Sequence, residues 1–255
     1  SENFDFIRLQ IENGVGRITL ARPPLNILHI PMMREMARAL DRCMGCHEMV
    51  AIVFAAAPEC RAFSAGVAVE DHKAETVYQM LDSFHNLFRL MEQMAKPTIA
   101  VVDGAALGGG FELVLGCDVV IASERARFGQ PEIKLPPIAA ILLPRIIGEK
   151  RARELILTGD LIDSLEAFRL GVINHLVPSD QLQAKTEEVL DKLRELSAPA
   201  LEATRRALDA ARERTLEAAL SAVEDIYLNE LMKTHDAHEG IAAFLEKRKP
   251  QWRHR

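Results

Sequence analysis

Two glutamates lie twenty residues apart in stretches that glycine or proline shapes. Glu112 closes the run Gly104 to Glu112 (GAALGGGFE), and Glu132 closes the run Phe128 to Glu132 (FGQPE). A carboxylate inside an apolar stretch is costly to bury unless it is paired or used. Two such carboxylates indicate an acid–base pair around one small site, in which one group gives a proton and the other accepts one.

Two segments of small residues are candidates to supply backbone amides to that site. Ser64 to Val67 (SAGV, with Ala65 at its second position) precedes a long helix and leaves the Val67 amide free to point into a cleft. Gly108 to Gly110 opens another helix, whose positive end is aimed at the same spot. Two amides from separate loops, here Val67 and Gly109, form an oxyanion hole that stabilises an enolate or a tetrahedral oxyanion. Glycine-rich turns are common, so a purely structural role for either segment stays open.

The elements that must hold these loops are predicted from hydrophobic periodicity. Asn13-Gly14 between two alternating runs is typical of a hairpin, and continuous apolar runs indicate strands buried on both faces. Strand, helix and strand alternate through the first half, which indicates an α/β fold with a mainly parallel sheet. On the long helix, Tyr78 and Phe84 fall on the apolar stripe and are expected in the core or a pocket wall. The predicted strands are 6–12, 15–21, 50–56, 97–102, 118–122 and 172–177. One predicted helix begins at Pro31, and the others span 71–94, 150–157, 164–170 and much of 180–244.

The chain is divided at about residue 195 by this pattern. Residues 1–195 form a predicted sheet-based core that carries the candidate site, and residues 196–255 form a helical region. The last helices carry more apolar surface than a lone small helical domain needs. An oligomer interface explains that surplus, and packing back on the core also explains it.

Composition describes an ordinary soluble globular protein. The 255 residues are 49% hydrophobic and 27% charged, with a formal net charge of −6. This net negative charge does not indicate the basic surface that binds nucleic acid or an anionic membrane. The start of the chain lacks the apolar region of a signal peptide, and charged residues interrupt the most apolar stretch, 98–122. We therefore expect a cytoplasmic protein with no nucleic-acid or membrane partner.

Cys43 to His47 spells CxxCH, the pattern of covalent haem attachment. No export signal precedes it, and two thiols with one imidazole are one ligand short of a structural zinc site. Reduced cysteines near a helix end are the better interpretation, so we expect neither metal nor redox cofactor.

Taken together, these motifs closely resemble the crotonase (enoyl-CoA hydratase/isomerase) superfamily over nearly the whole chain. Order and spacing agree throughout. The segments that carry the resemblance are Arg22-Pro23, Leu25-Asn26, Phe63 to Gly66, Gly104 to Glu112, Phe128 to Glu132, Leu157 to Gly159 and Phe244 to Lys249.

The resemblance implies a crotonase (ClpP/crotonase) fold, a spiral of ββα units with a helical C-terminal region that builds trimers or dimers of trimers. It implies an acyl-CoA thioester whose carbonyl oxygen lies between the Val67 and Gly109 amides. It also implies that Glu112 and Glu132 hold one water against the α,β double bond. We assign Glu112 as the base and Glu132 as the acid, and leave open that these roles are shared or exchanged. Coenzyme A is then part of the substrate, and no separate cofactor is implied.

Contacts with the CoA portion are implied as well. The resemblance places CoA near Arg22 and Leu25, with Ala65 and Gly108 beside the thioester. Phe244 and Lys247 match residues that contact the nucleotide, often from the neighbouring subunit. For Lys247, a solvated charge on a terminal helix is an equally good interpretation.

Two departures from the usual sequence of the family narrow the choice of acyl group in the substrate. The glycine-rich stretch that usually follows the second glutamate is replaced by Pro136-Pro137 and bulkier apolar residues, and Ala68 replaces an aspartate. The combination of residues 63–67 with 136–140 resembles the cyclohexa-1,5-diene-1-carbonyl-CoA hydratases. A flat ring would suit a pocket wall that comprises Ile138, Ala139 and Ile141.

Other functions remain open. Within the superfamily, linear enoyl-CoA hydration, double-bond isomerisation and thioester hydrolysis are alternatives. A non-catalytic member of the fold is another, although the presence of both glutamates argues against it. A serine nucleophile is disfavoured because Ser64 has no histidine that can be assigned to it.

Overall fold

A six-stranded sheet forms the centre of the fold in the computed structural model, which describes residues 3–134 and 142–255. Its strand order is β1-β2-β3-β5-β7-β10. β1 and β2 pair antiparallel, and each further neighbour pairs parallel, as the alternation of strands and helices predicts. The strands are β1 (Ile7–Glu12), β2 (Val15–Leu20), β3 (Ala51–Ala56), β5 (Thr98–Val102), β7 (Val119–Ser123) and β10 (His175–Val177).

The hairpin at Asn13-Gly14 is confirmed. Both residues have positive φ, 49° and 71°, which is the backbone that a two-residue turn between right-twisted strands requires. Glu12 and Val15 form the last pair of the β1–β2 ladder. The hairpin therefore fixes the register of the edge of the sheet.

Helices cover both faces of this sheet. In β3, Ile52 and Phe54 point into a core shared with the first two helices, α1 (Ile30–Met44) and α2 (Val77–Met94). Alternate β3 residues, Ala51 and Val53, pack on the opposite side in a cluster with Leu182 and Leu190. This two-sided burial explains why the strand is apolar without interruption.

A second, smaller sheet was not predicted from the sequence. Its order is β4-β6-β8-β9, with β4, β6 and β8 parallel and β9 antiparallel to β8. Each strand has three residues, too few for a period of two to stand out. The strands are β4 (Ala62–Ser64), β6 (Ala105–Leu107), β8 (Arg127–Gly129) and β9 (Leu161–Asp163).

Two predicted boundaries were wrong. The helix expected from residue 71 is a 3₁₀ turn, Val69–His72, followed by α2 from Val77. Tyr78 lies in the first turn of α2 and is 82% exposed, so it does not belong to the core, whereas Phe84 is buried there. The strand expected at 172–177 is shortened to β10, because the amide of Val172 bonds to Ala167 at the end of α6 (Ser164–Arg169).

The second half of the chain is mainly helical, as predicted. From α9 the helical path continues through a π-helical turn at Ile226–Glu230 and a 3₁₀ turn at Leu231–Lys233. Among the described residues no helix combines the length and the apolar character of a membrane span. The further helices are α4 (Leu143–Ile147), α5 (Glu149–Thr158), α7 (Leu182–Arg194), α8 (Ala198–Ala211), α9 (Leu216–Asp225) and α10 (His235–Leu245).

Ion pairs tie α8 to the sheet-based core. Lys96, 2% exposed, pairs with Glu202, and Arg205 Nε bonds to Asp118 Oδ2 at 2.9 Å. Asp118 also accepts from the amide and hydroxyl of Thr98, so it has a structural role. The boundary near residue 195 coincides with the turn between α7 and α8 and stays a prediction.

Candidate active site

The small sheet brings the predicted site residues to one edge. β4 ends at Ser64, directly before Ala65 to Val67, and β6 ends at Leu107, directly before Gly108 and Gly109. β8 ends at Gly129, before Gln130 to Glu132. Because the carboxyl ends of neighbouring parallel strands meet at one edge of a sheet, the three loops converge.

The Val67 loop is fixed from its outer side by Leu28. The Leu28 amide donates to Gly66 O at 2.8 Å, and the Ala68 amide donates to Leu28 O at 2.8 Å. This parallel bridge uses the Gly66 carbonyl and the Ala68 amide, which flank Val67. The N–H of Val67 itself is therefore directed away from Leu28. The predicted oxyanion amide is therefore held in a rigid frame.

Gly109 lies directly beside Val67. A Cβ atom built on Gly109 would come within 2.6 Å of Val67 Cγ2, and one built on Gly66 within 3.7 Å of the Gly109 nitrogen. A side chain at Gly109 would displace Val67, and one at Gly66 would be in van der Waals contact with Gly109. The structure thus brings the two predicted oxyanion residues together, and glycine is what permits their close approach.

Gly108 is the N-cap of the short helix α3 (Gly109–Leu115) and adopts φ 53° and ψ −125°. A Cβ atom there would overlap Glu132 Oε1. The backbone of Gly108 thus forms the surface against which the Glu132 carboxylate rests. Both the dihedral angles and this contact require glycine.

Glu112 is carried on the first turn of α3 and is 3% exposed. Burial raises its pKa to about 7, and the nearby Glu132 charge raises this pKa further, against the opposing effects of a hydrogen bond from Gln130 and the Leu142 amide. A carboxyl with that pKa exchanges its proton readily near neutral pH.

Glu132 lies on a 3₁₀ turn, Pro131–Lys134, that follows β8. Burial also raises the pKa of Glu132, while its own amide and the Gly109 amide act to lower this pKa. Among the described residues its buried Oε2 atom has no hydrogen-bond partner. Glu112, Glu132 and Gly109 thus form one cluster, as the sequence predicts.

Gln130 and Asn26 are buried polar residues at the site whose contacts the sequence analysis missed. Gln130, 3% exposed, donates from Nε2 to Glu112 Oε1. Asn26 is fully buried and accepts from the Arg22 amide through Oδ1, at 2.8 Å, and its carbonyl accepts from Ser64 Oγ, also at 2.8 Å. The available signal was a polar residue beside an otherwise buried strand end, which is costly unless its hydrogen bonds are made.

The residues predicted to contact CoA fall into three groups. Leu25 and Ala65 are adjacent, since the Ala65 amide donates to Leu25 O at 2.9 Å. Arg22 belongs to the same loop and donates to Ile27 O at 2.9 Å. These residues lie beside the Val67 loop, as the prediction requires. The predicted pocket wall, Ile138, Ala139 and Ile141, lies outside the described residues.

Phe244 and Lys247 form the third group, at the end of α10. Phe244 is 84% exposed, and Lys247 follows with a positive φ of 56°. Among the described residues, no hydrogen bond or ion pair links either one to the glutamate cluster of the same chain. A contact with CoA in a neighbouring subunit stays a prediction.

The CxxCH segment lies away from this cluster, at the end of α1. Cys43 is fully buried in the core, and burial raises the pKa of its thiol to about 12. Burial among core side chains makes Cys43 a packing residue of α1. Within residues 3–134 and 142–255, no group of three or more His, Cys, Asp or Glu side chains is arranged to hold a metal ion.

Comparison with known proteins agrees with this geometry. The sequence profile of the enoyl-CoA hydratase/isomerase family matches residues 10–255. The chain is 36% identical to a probable enoyl-CoA hydratase of Rhizobium meliloti, over 99% of this chain and 100% of the relative. It is also 36% identical to the cyclohexa-1,5-dienecarbonyl-CoA hydratase of Thauera aromatica, over 97% and 96%, and 32% identical to the short-chain-enoyl-CoA hydratase of Clostridium acetobutylicum, over 94% and 95%.

Solved structures agree as well. An enoyl-CoA hydratase subunit of Geobacillus kaustophilus superimposes with a TM-score of 0.91 at 33% identity, over the whole of both chains. An enoyl-CoA hydratase of Bacillus anthracis also gives 0.91, at 30% identity, over 98% of this chain and 100% of the other. The chain therefore belongs to the enoyl-CoA hydratase/isomerase family, with the crotonase fold, and is an enzyme of the hydro-lyase type.

Proposed function

We propose that this enzyme adds water to, or removes it from, a cyclic dienoyl-CoA thioester, with a linear enoyl-CoA thioester as the alternative substrate. The observation that carries water addition is the pair Glu112 and Glu132, a buried and a partly buried carboxyl that both have raised pKa values beside the Gly109 amide. Two carboxyls that share one proton supply the acid and the base that hydration needs.

The proposed reaction has two proton transfers. An ionised Glu112 accepts a proton from water as the water oxygen bonds to the unsaturated carbon. The π electrons move to the thioester oxygen, where the Val67 and Gly109 amides stabilise the enolate. A protonated Glu132 then delivers its proton to carbon, and the electrons return from the oxygen. After one turnover Glu112 holds the proton and Glu132 is ionised, so the proton must return to Glu132 before the next cycle.

The cyclic substrate is supported by the sequence that follows Glu132. Bulky apolar residues replace glycines between Lys134 and Arg145, and Ala68 replaces the aspartate of the common pattern. A relative at 36% identity carries the cyclic dienoyl-CoA hydratase name. A rigid ring also loses less conformational entropy on binding than a flexible chain does.

The test is an assay with crotonyl-CoA and with cyclohexa-1,5-diene-1-carbonyl-CoA, read by absorbance and by mass. We expect the cyclic diene to gain one water, and we expect Glu112→Gln and Glu132→Gln to lose this activity. Glu35→Gln is a matched control, because Glu35 is a buried carboxylate that binds the Asp5 and Phe6 amides away from the site. Turnover of crotonyl-CoA alone would replace the cyclic substrate with a linear one.

The same samples separate the other chemistries. Free thiol released from the thioester would indicate hydrolysis. Double-bond migration without a gain in mass would indicate isomerisation. If no thioester reacts and none binds, the chain is a non-catalytic member of the family.

We also propose that the chain assembles as a homotrimer or a dimer of trimers, with CoA held by Arg22, Leu25, Ala65 and Gly108. Phe244 and Lys247 of a neighbouring subunit complete the nucleotide contact. Large apolar side chains on the C-terminal helices support assembly, since Leu208, Leu216 and Leu245 are between 69% and 77% exposed. Light scattering should give three or six times the chain mass of 28.4 kDa, and a monomer would contradict the proposal.

A further inference from the structure

Two side chains from different elements, Val67 and Phe84 of α2, fill the space beside the Gly109 Cα atom. A Cβ atom on Gly109 would lie 3.3 Å from both Cε2 and Cζ of the Phe84 ring. Phe84 is only 6% exposed, so its ring is fixed by surrounding core residues. The position of the Gly109 amide relative to the Val67 loop therefore depends on this ring.

One helical turn later, Phe88 makes the same kind of contact at the other end of α3. A Cβ atom on Gly116, the C-cap of α3, would lie 2.9 Å from Phe88 Cε1. The Phe84 and Phe88 rings meet edge to face, with centroids 5.1 Å apart and planes at 77°. This aromatic pair thus contacts both ends of α3 from one face of α2.

A helix as short as α3 has little stability of its own, so its position is set by its packing. On its other side it lies against β4, where a Cβ atom on Gly110 would come within 2.6 Å of the Ser64 carbonyl oxygen. α3 carries both the Gly109 amide and Glu112. A shift of this helix would move an oxyanion donor and a carboxyl together.

We propose that Phe84 and Phe88 are positioning residues that hold α3 so that the Gly109 amide and the Val67 amide bind the same thioester oxygen. This inference rests on the proposed thioester chemistry. It predicts that loss of the Phe84 ring lowers the rate of the chemical step while CoA binding is maintained. A displacement of about 1 Å at such a site costs up to about 100-fold in rate.

The test compares Phe84→Leu with Phe54→Leu. Phe54 is fully buried in the same core cluster but belongs to β3 of the six-stranded sheet, so its replacement removes an equal ring from a strand outside the small sheet. Three quantities are measured for each variant. They are kcat with the substrate that the wild type turns over, the dissociation constant of butyryl-CoA, and the absorbance shift of bound cinnamoyl-CoA. The shift reports polarisation of the conjugated carbonyl, which a purely structural role would not change.

For Phe84→Leu we expect kcat to fall by about 10- to 100-fold, the absorbance shift to drop by at least about half, and butyryl-CoA affinity to stay within about threefold. Phe54→Leu should change the melting temperature but neither kcat nor the shift. Phe88→Leu should give a smaller loss than Phe84→Leu, since it contacts the far end of α3. If Phe84→Leu does not fold, Phe84→Met preserves more of the volume and takes its place.

Two failures are distinguishable. A wild type that neither hydrates a thioester nor shifts the cinnamoyl-CoA absorbance contradicts the proposed function itself. A wild type that does both, with Phe84→Leu indistinguishable from Phe54→Leu, contradicts only the positioning role of the aromatic pair.

Discussion

The side-chain amide of Gln130 donates a hydrogen bond to Glu112 Oε1, and each of these side chains is 3% exposed. The two residues come from different strand ends of the small sheet. This hydrogen bond favours the ionised form of Glu112 and opposes the burial that raises its pKa to about 7. Gln130 therefore keeps part of the Glu112 population ionised at neutral pH.

Replacement of Gln130 by methionine should raise the pKa of Glu112 above about 7, because the hydrogen bond that lowers this pKa is lost. With Glu112 as the base, kcat at pH 7 should fall, and the rising limb of the pH–rate profile should move to higher pH. Carbon-13 NMR of labelled glutamate measures the pKa directly. Gln10→Met is the control, because Gln10 bonds to the exposed carboxylate of Glu12 at 2.7 Å. An unchanged Glu112 pKa in Gln130→Met would contradict the assigned role.

Glu112→Gln should make the protein more stable at alkaline pH. The pKa of Glu112 is about 7 in the folded state and 4.5 for an ordinary glutamate, so the folded protein binds the extra proton between these values. Wild-type stability should therefore fall as pH rises from about 4.5 through 7, by up to about 3 kcal/mol. Glu112→Gln has no ionisable group at this position, so its stability should not show this fall.

Melting temperatures at pH 5 and pH 8 check this prediction. The advantage of Glu112→Gln should be small at pH 5 and reach several degrees at pH 8. Glu35→Gln provides a comparison at a buried carboxylate outside the site. A variant advantage that does not grow with pH would falsify the prediction.

Gly108→Ala should abolish activity, whereas Gly171→Ala should not. Both glycines have positive φ, 53° and 81°, so a side chain at either one costs about 1–3 kcal/mol in backbone strain. An added Cβ overlaps Glu132 Oε1 at Gly108 and meets nothing within 4 Å at Gly171. Melting temperature and kcat, measured on both variants, separate strain from displacement of the carboxylate. Full activity in Gly108→Ala would show that Glu132 acts from another position.

Glu202→Ala should destabilise the fold by about 3 kcal/mol, because it leaves the buried Lys96 ammonium without its partner. Glu230→Ala is the matched control, since Glu230 pairs with Arg206 at the surface, where such a pair contributes less than about 1 kcal/mol. Urea unfolding of both variants measures the difference. Equal losses would mean that Lys96 finds another acceptor or loses its charge.

Much of the frame is predictable from local patterns. The hairpin is indicated by its turn residues, Asn13-Gly14, and strand β3 by its continuous apolar run. Both signals come from residues that are neighbours in the sequence. Tyr78 was misplaced for the same reason, because its spacing matches the apolar stripe although α2 begins only one residue earlier.

The site was predictable where glycine and carboxylate occur together, as at Gly109 and Glu112. The roles of Gln130 and Phe84 were not predicted. Their contacts join residues 18 and 25 positions apart, and only the packing of separate elements brings them together. Such long-range pairs leave no periodic trace in a single sequence.

The separation between the six-stranded sheet and the three short parallel strands bears on how a chain of this kind changes over generations. The large sheet and its helices supply most of the buried core, while each of the short parallel strands leads into a separate segment that carries part of the site. A substitution after β4, β6 or β8 alters one part and leaves strand pairing intact. Descendants of one ancestral scaffold can thus acquire new reactions one loop at a time, with the inherited frame unchanged.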